Sequence, residues 1–230
     1  MLSNPAIIVV LCLAITAIGA EVCPNLGSAA NFTLLAASTI TNTGLSVITG
    51  NVGVYPGTAV TGFPPGVVKQ GIIQPGNAMA QNDVTTAYNT CKDAPFTKDL
   101  TGIDLAGLTL RPGVYKFSST AAISAGGILT LKGEGIYIFQ VGSAITTGAN
   151  AKIVVRHGAT AGCIYWQVGS SVTHGADSQF LGNILAYASV TFGNNVTYKG
   201  SVYARTAAIT LIDDTITDRQ SCNVECEIYS

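Results

Sequence analysis

A short pattern of one small residue, one β-branched apolar residue and one threonine recurs in the second half of the chain. It occurs in "SAITTGAN" (143–150), "SSVTHGAD" (170–177), "ASVTFGNN" (188–195) and "AAITLIDD" (207–214). Successive β-branched residues lie 27, 18 and 19 residues apart, at Ile145, Val172, Val190 and Ile209. Repeats of this length, made of short apolar segments between turn residues, are typical of solenoids. The spacing predicts stacked coils of a parallel β-helix, about 4.8 Å apart.

Alternation along a strand separates the two sides of each repeat. If the β-branched residues point inward as an aliphatic stack, their neighbours point outward. The looser matches "ASTIT" (37–41) and "STAAIS" (119–124) extend the same outward surface. The residues predicted to form it are Thr39, Thr41, Ala122, Ser124, Ala144, Thr146, Ser171, Thr173, Ser189, Thr191, Ala208 and Thr210.

This outward surface consists of methyl and hydroxyl groups and contains no charge. It has no titratable group, so it is unsuited to catalysis. Short, stiff side chains lose little entropy on docking and suit a flat, repetitive, partly hydrogen-bonding ligand such as ice. Threonine and serine are also common on exposed strands for reasons of β-propensity alone. The absence of charged residues at these positions in four aligned coils favours a binding surface.

One segment differs from the rest. Residues 77–94, "NAMAQNDVTTAYNTCKDA", contain no internal glycine or proline, and Pro75-Gly76 and Pro95 bound them. Apolar residues recur on one helical face, at Ala80, Val84, Ala87, Tyr88 and Cys91. The segment predicts a helix too long to form one side of a coil, which therefore packs along the outside. The preceding "TGFPPGVVKQGIIQPG" (61–76) indicates a loop with short strand segments.

Residues 1–20 are uncharged, with an apolar stretch too short to span a bilayer and small residues at its end. They predict a cleaved secretory signal peptide, a secreted single domain over 21–230, and no membrane contact after cleavage. Of six cysteines, Cys12 leaves with the signal. We expect Cys163 to be a buried free thiol. Two disulfides are then expected among Cys23, Cys91, Cys222 and Cys226. The last two of these cysteines lie in the C-terminal tail, residues 219–230.

Composition narrows the possible partners. Charged residues make up only 10% of the chain and the net charge is −1, so without a basic stripe nucleic acid is not an expected partner. No second Cys/His pair with zinc-finger spacing accompanies Cys222 and Cys226, so neither a metal nor another cofactor is expected. "NFT" at Asn31 and "NVT" at Asn195 fit the pattern for N-glycosylation.

Several blocks in order resemble the large microbial ice-binding protein family of cold-living fungi, bacteria, diatoms and algae. They are "SVITGNVGVYPGT" (46–58), "LRPGVYKFSSTAAIS" (110–124), "GIYIFQVGSAITTGA" (135–149) and "IYWQVGSSVTHGADSQFLGNILAYASVTF" (164–192). The resemblance spans about residues 29–217. It implies a discontinuous right-handed parallel β-helix of triangular cross-section with one long helix alongside. It also implies binding to an ice crystal surface through one flat face with motifs of the form Thr-Ala-x-Thr, which here adds Thr206 in "TAAIT". We expect the protein to act as a monomer.

Two other function classes remain open at this stage. An enzyme of the kind found on β-helices would need clustered carboxylates. The candidate cluster is Asp213, Asp214 and Asp218, with Arg205 and Arg219 nearby in sequence. We expect this acidic group to form a solvated turn at the end of the solenoid. We expect His174 to lie at a coil corner rather than to act as a base. A polysaccharide-binding or adhesive module would instead use stacking aromatics, for which the candidates are Tyr137, Tyr165, Tyr187, Tyr198 and Tyr203.

Overall fold

The computed structural model of the chain describes residues 22–218, 221–222 and 224. The predicted signal peptide and most of the cysteine-containing tail therefore lie outside the described residues. Strands that precede the helix are β1 (Phe32–Ala36), β2 (Thr39–Thr43), β3 (Val47–Thr49), β4 (Asn51–Val54), β5 (Ala59–Thr61), β6 (Val67–Lys69) and β7 (Ile73–Pro75). The helix α1 spans Ala78–Asp93, and short 3₁₀ turns occupy Gly27–Asn31 and Ala161–Cys163.

Fifteen further strands follow the helix. They are β8 (Lys98–Asp99), β9 (Thr109–Leu110), β10 (Gly113–Phe117), β11 (Ala121–Ile123), β12 (Ile128–Lys132), β13 (Tyr137–Val141), β14 (Ile145–Thr147), β15 (Lys152–Arg156), β16 (Ile164–Val168), β17 (Val172–His174), β18 (Gln179–Ala186), β19 (Val190–Asn194), β20 (Thr197–Ala204), β21 (Ile209–Ile212) and β22 (Thr215–Thr217). Every strand pairing is parallel, which confirms the predicted β-helix.

The strands form three faces. The flat face is one seven-stranded sheet in the order β11-β14-β17-β19-β21-β2-β5. The helix-covered face runs through β8, β10, β13, β16, the second halves of β18 and β20, then β1, β4 and β7. The third face runs through β9, β12, β15, the first halves of β18 and β20, then β22, β3 and β6. At the corner between the last two faces β18 and β20 bend without a break at Gly182 and Gly200, whose φ angles of 115° and 146° suit glycine.

The stacking order departs from the chain order at one place. The first coil, β1 to β3, lies against the last one: β1 pairs with β20, β2 with β21, and β3 with β22. The coil formed by β4, β5 and β6 then stacks outside the first coil, and β7, which pairs with β4, ends the solenoid on the helix-covered face. Helix α1 returns the chain along the outside to the opposite end. We call the junction of the first and last coils the seam.

Inward side chains fill the interior, as the alternation predicts. Ile145, Val172, Val190 and Ile209 align in register and are at most 1% exposed. Under the helix-covered face Phe139 stacks on Trp166, with ring centroids 3.9 Å apart. His174 also points inward from β17 and packs between Phe180 and Phe192. Its predicted corner position is wrong because it lies two residues after Val172 and so shares its side of the strand.

Helix α1 packs on the helix-covered face through the residues that its periodicity predicts. Asn77 caps the N-terminus by accepting a hydrogen bond from the Ala80 backbone N–H at 2.8 Å. The buried residues are Ala80, Val84, Ala87, Tyr88 and Cys91. They contact outward residues of the sheet that are also buried, including Leu35, Leu185 and Tyr203. At the other end the Gln140 amide donates to the carbonyls of Cys91 and Ala94, which satisfies free acceptors of the last turn.

The cysteine prediction is partly wrong. Cys163 forms a disulfide with Cys222, with sulfur atoms 1.99 Å apart, and Cys23 is also disulfide-bonded. Cys91 is the buried free thiol, and its burial raises the pKa of that thiol well above the ordinary value. It lies on the inner face of α1, where the solenoid surface faces it. The Cys163–Cys222 bond does fasten the tail to the solenoid, as expected for a covalently attached C-terminus.

Candidate functional site

Two rows of outward side chains run along the flat face. The first outward row, in spatial order, is Thr120, Ala144, Ser171, Ser189, Ala208, Thr39 and Ala59. The second outward row is Ala122, Thr146, Thr173, Thr191, Thr210, Thr41 and Thr61. Their members are exposed or half-buried, whereas the residues between the rows are buried in every coil except the terminal one, where Val60 is half-buried. Neighbouring rungs lie about 4.8 Å apart, so the surface is periodic in one direction.

Ten of the thirteen sequence-predicted residues lie in these rows at the predicted register. The prediction is two residues out of register at β11, where Ala122 pairs with Thr146 in the second row and Thr120 takes the first-row position. Ser124 lies beyond the rows, and its hydroxyl donates to the Asp104 carboxylate. In β11 both Ala121 and Ile123 point inward, so alternation alone fits either register.

Thr206 lies outside both rows. It occupies the corner before β21, and its hydroxyl donates to the backbone carbonyl of Tyr187 on the neighbouring coil at 2.7 Å. The resemblance therefore identifies the correct corner of the coil, but this hydroxyl is already used within the protein. Thr206 fixes the approach to the flat face rather than extending its surface.

Sequence reasoning missed the terminal rung. Strand β5 carries Ala59 and Thr61, which align with Thr39 and Thr41 and extend both rows by one coil. The signal was present, because "TAVT" (58–61) has the Thr-Ala-x-Thr form. The surrounding prolines and glycines instead favoured a loop.

The hydroxyls of the second row face solvent. Among the described residues, no hydrogen bond joins a threonine hydroxyl of this row to another protein group, whereas in the first row Ser171 and Ser189 share a bond of 3.1 Å. Neither row contains a titratable side chain, and each threonine presents one methyl and one hydroxyl. The face can order water and exclude it, but it has no group able to move a proton.

The acidic residues near the C-terminus have a structural role. Asp214 is 1% exposed and accepts hydrogen bonds from the backbone N–H groups of Val196 and Ile212 at 2.8 and 2.7 Å. Asp213 accepts from the Leu45 backbone N–H across the seam. The expected solvent exposure thus holds for Asp213 and Asp218 but not for Asp214. The Asp213 carboxylate holds the backbone of the first coil, and the Asp214 carboxylate holds that of the last coils.

The other groups expected to support an enzyme do not assemble either. Burial lowers the pKa of His174 to about 3, so this ring is neutral. Arg205 donates to Thr85 of α1 instead of to a carboxylate, and Arg219 lies outside the described residues. Among the described residues, no group of three or more Asp, Glu, His or Cys side chains is placed to hold a metal ion.

The aromatic residues that would support sugar stacking are mostly internal. Tyr137, Tyr165, Tyr198 and Tyr203 are each at most 4% exposed. These four candidates are therefore not available for stacking on a sugar, since they fill the core or pack under α1. Tyr187 is the exception at 49% exposed, and it lies at the corner between the flat and helix-covered faces.

The fold and the site define a discontinuous β-helix with one face covered by a helix and another left as a periodic, uncharged surface. The family profile described as ice-binding-like matches residues 34–217. An ice-binding protein of Nostoc sp. (strain HG1) is 45% identical over 193 residues, which cover 81% of this chain and 71% of the relative. The chain belongs to the ice-binding-like family.

Solved structures of ice-binding proteins have the same fold as this chain. The crystal structure of an ice-binding protein from an Antarctic biological consortium matches with a TM-score of 0.83 at 37% identity, covering 87% of this chain and 93% of that one. That of an ice-binding protein from the Antarctic ascomycete Antarctomyces psychrotrophicus matches with a TM-score of 0.81 at 34% identity, covering 86% and 98%. In the described part of this chain, no helix is long and apolar enough to cross a membrane.

Proposed function

We propose that this protein binds ice crystals and does so through the flat face. The observation that carries the proposal is the pair of outward rows, which place small side chains at the same two positions on seven consecutive rungs. Among the described strands, no other face of the solenoid presents such a surface, because the helix covers one face and charged residues such as Lys132, Lys152 and Lys199 interrupt the third. Family membership and the names of the relatives support the same function.

The mechanism is adsorption. Second-row hydroxyls anchor water molecules while the methyl groups beside them exclude disordered water, so the face carries a layer of ordered water that can merge with the crystal. Each contact is weak, but rungs fixed by the backbone ladder engage together at little entropic cost. Ice then grows only as curved fronts between bound molecules, which lowers the freezing point. The same coverage slows recrystallisation.

The proposed setting is extracellular, and the proposed active unit is a monomer. Disulfides involving Cys23, Cys163 and Cys222 suit an oxidising compartment. The flat face is complete within one chain, since all seven of its strands come from the same polypeptide. Binding needs neither a cofactor nor a metal, because adsorption involves no bond-breaking step.

Thermal hysteresis, the gap between melting and freezing points, tests the proposal when measured on a single ice crystal with the mature protein. Thr191→Tyr places a ring in the centre of the second row and should abolish most of the gap. Its matched control is Thr215→Tyr, which adds the same ring at an exposed position of β22 on the third face. We expect the control to retain the hysteresis of the parent protein. Both variants should unfold at the parent's temperature, because neither threonine contributes to the core.

Two outcomes would count against the proposal. A mature protein that leaves ice crystals round and freely growing would show that the fold is present without ice binding. Equal loss of hysteresis in the two tyrosine variants would show that ice is bound through more than the flat face.

A further inference from the structure

A groove of about 690 Å³ lies beside the flat face, and ice binding gives it no role. One wall is the C-terminal end of α1 with the residues that follow it, including Tyr88, Lys92 and Phe96. The other wall is the corner where the helix-covered face turns into the flat face. There Gly142 and Gly169 carry no side chain on two successive rungs, which leaves the groove open.

The groove is lined by a largely buried amide side chain that makes no hydrogen bond within the described part of the protein. Gln140 and Gln167 occupy equivalent positions on neighbouring strands β13 and β16, and both line the groove. The Gln140 amide is used, because its nitrogen donates to the last carbonyls of α1. Gln167 is only 4% exposed, yet no hydrogen bond joins its side chain to another described residue. The small exposed part of this side chain lines the groove, so its amide can donate to and accept from a ligand there without breaking a hydrogen bond within the protein.

Two exposed aromatic rings flank this amide. Phe96 and Tyr187 are each 49% exposed, on opposite walls of the groove. The Arg205 guanidinium lies 5.7 Å from the Tyr187 ring centroid and 4.2 Å from that of Tyr88, which orients the Tyr187 ring at the rim. An aromatic face beside a buried amide is a combination that suits a pyranose ring, which has apolar C–H faces and hydroxyls around its edge.

The charge of the groove lining indicates which class of sugar would fit. Lys92 and Lys116 line the groove, and no carboxylate does. The Lys116 ammonium lies 4.8 Å from the Phe96 ring centroid. The backbone of Lys116 is two rungs, or about 10 Å, from that of Gln167 along the sheet. Asp99 neighbours Lys116 on β8 but is not part of the lining. A ligand that carries anionic groups therefore fits better than a neutral one.

We infer that this groove binds an acidic polysaccharide through successive uronate residues. The Gln167 amide contacts the hydroxyls of one residue, and the Tyr187 ring packs on the face of the same part of the chain. The Lys116 ammonium contacts the carboxylate of another residue, because Lys116 lies two rungs away from Gln167. No covalent step is involved. Since the groove borders the flat face without including either outward row, a bound polysaccharide chain would leave that face free, and the protein could hold on to an acidic matrix while it adsorbs to ice.

Isothermal titration of the mature protein with tetragalacturonate tests the inference, with the fully methyl-esterified tetramer as the uncharged probe of the same length. We expect saturable binding of the acid form and affinity about tenfold weaker for the ester, since one lost charged contact is worth about 1.4 kcal/mol. Lys116→Met, Gln167→Leu and Tyr187→Ala should each weaken binding of the acid by about tenfold. Tyr187→Phe keeps the ring and should bind as the parent does.

The flat-face variant Thr191→Tyr separates this inference from ice binding, because it should lose thermal hysteresis and still bind tetragalacturonate. Unfolding temperatures within about 2 °C of the parent value would show that the groove variants are folded. Absence of saturable heat with the folded parent protein overturns the inference. Equal affinity for acid and ester, or binding unchanged by both Lys116→Met and Tyr187→Ala, overturns it as well.

Discussion

The flat face and the helix-covered face are built on the same ladder of parallel strands, yet they have opposite outward surfaces. In the flat face the outward positions hold threonine, serine and alanine. In the helix-covered face the equivalent positions hold large side chains such as Leu185 and Tyr203, which are fully buried beneath α1. Inward, both faces contribute buried apolar side chains to the same core.

The difference shows that backbone regularity alone does not make a binding surface. Both faces offer rungs at the same spacing, but large apolar side chains in water recruit a cover, here the apolar side of an amphipathic helix. Small side chains leave too little apolar area to hold such a cover, so the flat face stays open to solvent. What distinguishes the two faces is the size of the outward residues, and this can be tested by exchanging them.

The largest effect on stability is expected when a residue typical of the flat face replaces one under the helix. Leu185→Thr removes apolar contacts with α1 and buries a hydroxyl, which should cost about 3 kcal/mol. For a chain of this length that corresponds to a fall of about 6–12 °C in unfolding temperature, measurable by scanning calorimetry. Leu185→Ile serves as the control and should lose far less. An unchanged unfolding temperature in the threonine variant would mean that the helix contributes little to the fold.

A smaller effect on stability is expected from a change of pH, through Asp214 at the seam, which joins strands of both faces. Burial raises the pKa of the Asp214 carboxyl from 3.8 to about 6, against the hydrogen bonds from the Ile212 and Val196 backbone that lower it. The folded protein then holds this proton at a pH where the unfolded chain has lost it. The protonated Asp214 carboxyl therefore contributes fully to the free energy of unfolding below about pH 4, and this contribution disappears as the pH rises through 6. The free energy of unfolding should change by about 2 kcal/mol over this range.

Urea unfolding at pH 4 and pH 7 measures this change against Asp214→Asn, which cannot titrate. The stability difference between parent and variant should be greater at pH 4. A difference that is equal at both pH values, or greater at pH 7, would contradict the raised pKa.

The smallest effect is expected from a substitution that keeps the size of a flat-face residue. Thr191→Val retains one methyl group and the β-branched shape but replaces the hydroxyl by a second methyl. If the ordered water depends mainly on the array and its methyl groups, thermal hysteresis should fall by less than about half, since neighbouring rungs share the contact. Thr191→Ser, which keeps the hydroxyl and loses the methyl, is the matched comparison. A greater loss in the valine variant would assign the leading role to the hydroxyl.

The sequence predicts those parts of the molecule that depend on local period. The repeat and its alternation place Val172 inward and Thr173 outward, and the 3.6-residue period identifies the buried side of α1. The same period puts Cys91 on that buried side, but whether another cysteine faces it there depends on the tertiary structure, which shows a free thiol. The register of β11 is not predictable from alternation, because Ala121 and Ile123 both fit the interior.

Contacts between distant segments are harder to predict. The disulfide of Cys163 and Cys222 joins residues 59 positions apart, and the Asp214 backbone N–H donates to the Ser46 hydroxyl of the first coil, 168 positions away. Neither is encoded in a local pattern. Nor does the sequence distinguish Gln167 from Gln140. Only the tertiary structure shows that the Gln140 amide binds the end of α1 and that Gln167 has no such contact.

The seam also dictates an order of events when the chain folds. Strands β1 and β2 cannot obtain their partners β20 and β21 until residues 197–212 have been synthesised, so the amino-terminal segment waits for the carboxy-terminal one. Such non-local pairing gives a high contact order, and loop closure must precede the contacts that repay it. Before then β1 and β2 have only their partners β4 and β5 on the other side, so the first coil cannot complete its pairing during synthesis. We expect nucleation in the consecutive coils after α1 and later docking of the first coil against them.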